Sequence, residues 1–259
     1  MDLGLSGRVA VVTGASRGIG LAVVEALVAE GAQVVAGARR SSAELDDLTR
    51  TGLVRVVPVD LANDGGPARL IAAAGDRVDV LVNNVGAASV RTGGFGEVTD
   101  EQWWASINLN LFAAVRVTRS ALPAMLAAGR GSIVNVSSVN ASLPDPAVID
   151  YSAAKAALAS FSKALSKEVG GRGVRVNTVS PGPVATALWL GQDGVAATVA
   201  GASGADPDEI VSEAEHALVT GRFSRPDEVA VAVLLLASDR SANVTGADIA
   251  VDGGFLPTW

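Results

Sequence analysis

Thr13-Gly14-Ala15-Ser16-Arg17-Gly18-Ile19-Gly20 decides the fold. An apolar, β-branched run over Arg8–Thr13 leads into it, and a helical pattern over Gly18–Glu30 leaves it. A strand that turns through glycines straight into a helix is the context a nucleotide site requires. Gly14 permits the tight turn, Gly18 lets backbone approach a pyrophosphate, and Gly20 lets the helix pack closely on the strand. The helix start, with Ser16, Arg17 and Ile19 around it, offers free N–H groups and a positive dipole end to phosphate. The spacing is G-x3-G-x-G rather than G-x-G-x-x-G, so the strand-to-helix context carries the reading more than the glycines alone.

Working outward, the same alternation repeats. Strands are predicted at Gln33–Ala36, Leu53–Val59, Val78–Val82, Ser132–Ser137, Val174–Val179 and Ala247–Val251. Helical patterns fall at Pro67–Ala74, Asp100–Ala128, Tyr151–Val169 and Asp227–Ala237, with Pro123 expected to bend or interrupt the second. The strand runs are nearly continuous Val, Ile and Ala, which suits strands buried on both faces. Strand–helix alternation of this kind predicts an α/β fold. The expected architecture is one doubly wound Rossmann-type domain over residues 1–259, a seven-stranded, mostly parallel sheet with helices on both faces. Ala187–Phe223, rich in Gly, Ala and acids, interrupts the alternation and is expected to be a substrate lid.

Composition narrows the chemistry. Of 259 residues, 49% are apolar and 18% charged, enough apolar content to exclude general disorder. The net charge of −7 argues against nucleic-acid partners. There is no cysteine and one histidine, so thiolate and multi-histidine metal sites drop out and no metal is expected. His216 is expected to be a surface residue. The longest wholly apolar run, Val229–Ala237, is far short of the roughly 20 residues of a membrane span. With no secretory pattern at the start, a soluble cytoplasmic location is expected.

The second strand bears on the cofactor. NAD sites usually place an acid near its end to hold the ribose 2′-hydroxyl. Val34-Val35-Ala36-Gly37-Ala38-Arg39-Arg40 has none; it ends in two arginines, and Arg17 stands in the glycine loop. Guanidinium groups make forked hydrogen bonds to phosphate, so the cluster favours NADP(H), an ordinary solvated arginine pair and NAD(H) being the alternatives.

Tyr151 and Lys155 are four apart at the start of a predicted helix and share a face. Ser138 stands thirteen residues before Tyr151, at the carboxyl end of a strand, where open parallel sheets hold ligands. With these in hand, the chain resembles the short-chain dehydrogenase/reductase family over nearly its whole length. The resemblance rests on Thr13–Gly20, Asp60, Asn83-Asn84-Val85-Gly86, Asn110, Ser138, Tyr151, Lys155, Pro181-Gly182 leading to Thr186, and Asp252-Gly253-Gly254.

That resemblance implies roles. Tyr151 would give or take the proton on the substrate oxygen, Ser138 would hydrogen-bond that oxygen, Lys155 would hold the nicotinamide ribose, and Asn110 would support a water chain toward Lys155. Asp60 and Leu61 would border the adenine, Asn84 and Gly86 the ribose region, and Pro181, Gly182, Val184 and Thr186 the nicotinamide end. Plainer roles stand beside these: Asp60 capping a turn, Asn84 stabilising a loop, Thr186 capping a helix. Tyrosine ionises near 10, so a phenolate at neutral pH needs nearby positive charge. Val85, Ala113 and Ala141 replace an alanine and two glycines common in the family and alter pocket shape without removing a chemical group. Enoyl-reducing relatives usually have a wider tyrosine–lysine spacing, and epimerising or dehydrating relatives a longer C-terminal part. A nucleotide-binding sensor without catalysis is the non-enzyme alternative.

The walls of the expected pocket, Val139, Leu143, Val148, Trp189 and Leu190, are apolar, and no Arg or Lys lies in Val139–Asp150 or Thr186–Thr220. A small, neutral, fairly apolar ketone or secondary alcohol is therefore expected, with a carrier-bound 3-oxoacyl group as an alternative. The resemblance also implies a homotetramer built on Asp100–Ala128 and Tyr151–Val169; the tail Phe255–Trp259, unusually apolar for an exposed end, is expected to cover a neighbour.

Overall fold

The computed structural model describes residues 2–257; the last two residues of the tail expected to cover a neighbour, Thr258 and Trp259, lie outside them. In chain order the elements are β1 (Val9–Thr13), α1 (Gly18–Ala29), β2 (Gln33–Ala38), α2 (Ala43–Thr49), β3 (Val54–Pro58), α3 (Gly65–Ala72) and β4 (Val80–Asn83). Then come α4 (Asp100–Ile107), a π turn (Asn108–Phe112), α5 (Ala113–Ala128), β5 (Gly131–Val136), α6 (Ile149–Val169) and β6 (Val174–Pro181). The chain continues through α7 (Ala187–Leu190), α8 (Val195–Ser203), α9 (Pro207–His216), α10 (Pro226–Ala237) and β7 (Asp248–Val251).

The seven strands form one sheet in the order β3-β2-β1-β4-β5-β6-β7, and every pairing is parallel. Alternate residues of one strand feed two cores. Ala10 and Val12 of β1 pack with Val23, Val24 and Leu27 of α1 and Val229 and Val233 of α10. Val11 points the other way, into the cluster of Leu70 of α3, Val117 and Met125 of α5 and Leu165 of α6. Burial on both faces is why the strand sequences lack polar alternation.

Three local features depart from the expectation. α2 lies in a stretch with no apolar periodicity: it has one buried residue, Leu45, and begins where the Ser42 hydroxyl accepts from the Leu45 N–H at 3.2 Å. The interruption of Asp100–Ala128 falls at the π turn, not at Pro123, which α5 accommodates on an exposed turn where water can serve the carbonyl that loses its donor. The continuous helical stretch 100–128 has the length and mean hydropathy of a membrane span. Its apolar content instead serves the core, through Ala113, Val117, Ala121 and Met125. The insertion is helical, α7, α8 and α9, with Trp189 edge-on to buried Phe223 at 5.1 Å between ring centroids.

In the glycine loop the constraint is tightest at Gly20, where a Cβ would lie 2.1 Å from the Gly14 carbonyl oxygen and 2.5 Å from Asn84 Nδ2. Gly20→Ala should therefore lower the free energy of unfolding by about 2–3 kcal/mol. Gly201→Ala, in α8 where a Cβ meets nothing within 4 Å, should be neutral or stabilising by up to about 1 kcal/mol. Urea titrations of the two variants read both values; equal midpoints would count against the close helix–strand contact.

Candidate active site

α1 leaves β1 toward one face of the sheet, and α4–α5 leave the adjacent β4 toward the other, so a crevice opens above the ends of these strands. Side chains staple the two ends together. The Thr13 hydroxyl accepts from the Asn84 and Val85 N–H groups at 2.9 and 3.1 Å. Asn84 Nδ2 donates to the Thr13 and Gly14 carbonyls at 3.0 and 3.2 Å, so its amide stabilises the glycine loop.

The loop itself is open to an anion. Gly14 and Gly18 have φ of +65° and +55°. α1 starts at Arg17 with no side-chain cap and no acid in its first turn, leaving its first N–H groups free. Arg17, Arg39 and Arg40 are exposed at this edge, and none joins an ion pair among the described residues. Asp60 caps its own turn, accepting from Ala62 N–H at 3.0 Å and Asn63 Nδ2 at 3.2 Å, beside buried Leu61.

On the far side of the crevice, Gly182 N–H donates to the Val251 carbonyl at 3.0 Å, just after Pro181 ends β6. Val184 is buried and bridges to Ser224. Thr186 precedes α7 but makes no side-chain cap bond, and its Cγ2 stands 3.2 Å from where a Cβ on Gly18 would be. The glycine loop and the segment before α7 therefore lie against each other at this sheet edge.

Ser138, Tyr151, Lys155 and Asn110 meet beside it. Lys155, buried, donates from Nζ to the Val136 carbonyl at 2.8 Å and lies 5.6 Å from the Tyr151 ring centroid. Ser137 Oγ donates to the Lys155 carbonyl at 3.3 Å, fixing α6 against β5. Ser138 Oγ accepts from Asn140 N–H at 3.2 Å. A Cβ on Gly86 would stand 2.9 Å from Asn110 Oδ1 and 3.1 Å from Lys155 Nζ, so only glycine brings these two groups to the same backbone. Asn110 is held by Ala87, whose N–H it accepts at 3.0 Å and whose carbonyl it donates to at 2.9 Å.

A family described as Enoyl-(Acyl carrier protein) reductase matches residues 14–256. L-xylulose reductase of Bos taurus is 39% identical, with all of both chains covered. The 3-oxoacyl-[acyl-carrier-protein] reductase FabG of Thermotoga maritima is 35% identical over 97% of this chain and 99% of its own. Among solved structures, L-sorbose reductase from Gluconobacter frateurii, complexed with NADPH and L-sorbose, superposes with a TM-score of 0.90 at 35% identity, both chains fully covered. The chain belongs to the short-chain dehydrogenase/reductase family.

Within this short-chain dehydrogenase/reductase, burial sets the electrostatics of the tyrosine–lysine pair. Burial pushes the Tyr151 phenol above its ordinary value, and hydrogen bonding with Ser138 pulls the other way. Burial brings Lys155 down to about 8. The protein groups alone thus hold Tyr151 protonated, and a phenolate requires further positive charge at the crevice.

Sequence reasoning missed one pair. Arg91, in the loop after β4, meets Asp150, the residue before Tyr151, through Nη2–Oδ2 at 2.5 Å and Nε–Oδ1 at 3.3 Å. Arg91 N–H also donates to the Ala147 carbonyl at 2.7 Å, tying two walls of the pocket to the first turn of α6. Burial alone would raise the Asp150 carboxyl, but the Arg91 hydrogen bonds and charge, together with the Asp150 and Tyr151 backbone N–H groups, outweigh it and hold it below its usual value. No local pattern links residues 59 apart; only an acid in a helix's first turn hinted at a partner. His216 is exposed and bonds to the Ser212 carbonyl of its own helix at 2.6 Å.

Removing one partner of this pair leaves a buried charge. Arg91→Ala should lower stability by about 3 kcal/mol at pH 7. Because the native Asp150 value is depressed, the pair's contribution is complete above about pH 4 and is lost as pH falls below it. The gap between variant and wild-type urea midpoints should therefore narrow toward pH 3; a gap independent of pH would assign the loss to packing.

Proposed function

We propose that this protein is an NADP(H)-dependent carbonyl reductase/alcohol dehydrogenase acting on a small, neutral ketone or secondary alcohol. The observation that carries the reading is the convergence of Lys155 and Asn110 at Gly86, with Tyr151 beside Lys155 and Ser138 at the adjoining strand end. Bound nicotinamide supplies or receives the hydride. Ser138 and Tyr151 hold the substrate oxygen, and Tyr151 gives it a proton in reduction or takes one in oxidation. Lys155, fixed by the Val136 carbonyl, presents positive charge beneath the phenol and holds the ribose, and Asn110 orders water toward Lys155. The three-residue gap between Tyr151 and Lys155 supports carbonyl over enoyl reduction. A complete catalytic set argues against a sensor without catalysis.

Arg17, Arg39 and Arg40, free of acid partners, support recognition of a 2′-phosphate, and no acid closes β2 to favour NAD(H). Leu143, Leu188 and Leu190, on the segments read as pocket walls, are exposed, and Arg91 is neutralised by Asp150, which supports an uncharged substrate. Two similar proteins are named for neutral ketoses, L-xylulose and L-sorbose. On this reading α7–α9 form the lid, with Trp189 anchoring it on Phe223. Exposed Trp104 and Phe112 on the 100–128 stretch support a homotetramer assembled through that face in a cytoplasmic enzyme.

Cofactor oxidation with cyclic and aryl ketones, ketoses and 3-oxoacyl thioesters tests the reading. Tyr151→Phe should keep NADPH binding and lose roughly 100-fold or more in turnover. Arg39→Asp should raise the NADPH KM and shift preference toward NADH; a wild type that prefers NADH would overturn the 2′-phosphate assignment.

The pH dependence has a defined sign. Burial keeps the proton on Tyr151, so the group that titrates first is Lys155: kcat/KM for reduction should be level in acid and fall as pH rises past about 8, where Lys155 loses the charge it presents to the phenol and the ribose. A flat reduction profile between pH 7 and pH 10 would remove the Lys155 charge from the reaction.

A further inference from the structure

The adenine shelf and the catalytic asparagine lie at opposite ends of the expected cofactor, yet one side chain bridges the elements that carry them. Asn108 opens the π turn that carries Asn110. Its Nδ2 donates to the Ala62 carbonyl at 3.1 Å, in the turn that Asp60 caps. Its Oδ1 accepts from Arg116 Nη1 at 2.6 Å. Arg116 in turn lies over the Phe112 ring at 5.5 Å and reaches Asp64 Oδ1 at 3.5 Å. Both ends of the Asn108 amide are therefore engaged, one on the 60–64 turn and one on the helix after the π turn. Two residues on, Asn110 is fixed by Ala87 and Ser106 and touches the Gly86–Lys155 space.

A π turn inserts an extra residue into a helix, loosens the local hydrogen-bond ladder and recurs at functional sites. Here an outside contact holds it. We propose that Asn108 is a positioning residue that couples filling of the adenine shelf at Asp60–Ala62 to ordering of the π turn that presents Asn110. The inference rests on the cofactor reading above. Ordering of the shelf by the adenine half fixes the Ala62 carbonyl, the carbonyl fixes Asn108, and Asn108 fixes the turn from which Asn110 projects. Coupling of this kind requires a segment whose order differs between the two conditions.

Hydrogen–deuterium exchange on the full chain tests it, with adenosine 2′,5′-bisphosphate as a probe that fills only the adenine half. In the wild type the probe should slow exchange at least threefold both at 60–64 and at 106–112. Asn108→Asp keeps an acceptor for Arg116 and loses the donor to Ala62; it should retain protection at 60–64 and lose it at 106–112. Arg116→Met, which leaves that donor in place, should retain part of the second effect. In turnover, Asn108→Asp should lower kcat with NADPH several-fold while the ketone KM stays within twofold. Protection at 106–112 that is absent from the wild type, or that persists in Asn108→Asp, overturns the coupling. Absence of protection at both segments of the wild type overturns the cofactor reading itself, and the coupling with it.

Discussion

Everything functional in this fold depends on the splaying of β1 and β4. These strands are hydrogen-bonded neighbours, yet the chain leaves them toward opposite faces of the sheet. No helix or loop can cover the gap between two connections that diverge, so the sheet edge stays open at that point. The opening would leave two strand ends with unpaired polar groups. Thr13 and Asn84 answer this by exchanging bonds between the strand ends, through a hydroxyl accepting two N–H groups and an amide serving two carbonyls. The staple in turn brings Asn84 so near α1 that position 20 has no room for a Cβ. The glycine loop is thus a consequence of the crevice as much as a device for binding phosphate.

The catalytic end obeys a second constraint, a lysine taken out of water. A buried ammonium is costly unless hydrogen-bonded, and Lys155 finds one backbone acceptor, the Val136 carbonyl, with Asn110 Oδ1 across Gly86. The lowered affinity of Lys155 for its proton measures how incompletely these groups replace solvent. Tyr151 shares that environment and moves the opposite way, because burial disfavours the charged form of each. The two shifts move the groups apart: Lys155 comes toward the working pH, while the phenol keeps its proton until further positive charge at the crevice draws it off.

How much of this could be read from the residues follows from range. The glycine loop, the strand runs and the Tyr151–Lys155 spacing are local patterns, and the structure places them within one or two residues of where they were expected. The parallel, doubly covered sheet was legible because runs such as Val9–Thr13 are apolar on both faces; Val174–Pro181 is buried nearly throughout but carries Arg175, Asn177, Thr178 and Ser180, and was less plain. α2 was not, since a single buried leucine gives no period and its start depends on the Ser42 cap. The π turn was not either: its sequence, Asn108–Phe112, continues the helical pattern, and what marks it is a contact with Ala62 far away in the chain. Arg91 and Asp150 escaped for the same reason. Pro123 misled because a proline's cost depends on whether the orphaned carbonyl faces water, which the sequence alone does not say.

The same distinction explains why the reaction class is better determined than the substrate. On the proposed reading, the groups that handle the proton and the ribose hang from the end of β5 and from α6, where backbone bonds and the packed core fix them. The walls proposed for the pocket come from the loop after β4, the 138–150 segment and α7–α9. These are held by few specific contacts, chiefly Arg91 to Asp150 and Trp189 to Phe223. Each contact is made by side chains whose replacement leaves the sheet untouched. Substrate choice can therefore drift by changing residues such as Leu143, Leu188 and Leu190 with no cost to the catalytic geometry. That separation is a physical reason why proteins 35% and 39% identical to this chain carry the names of different carbonyl substrates.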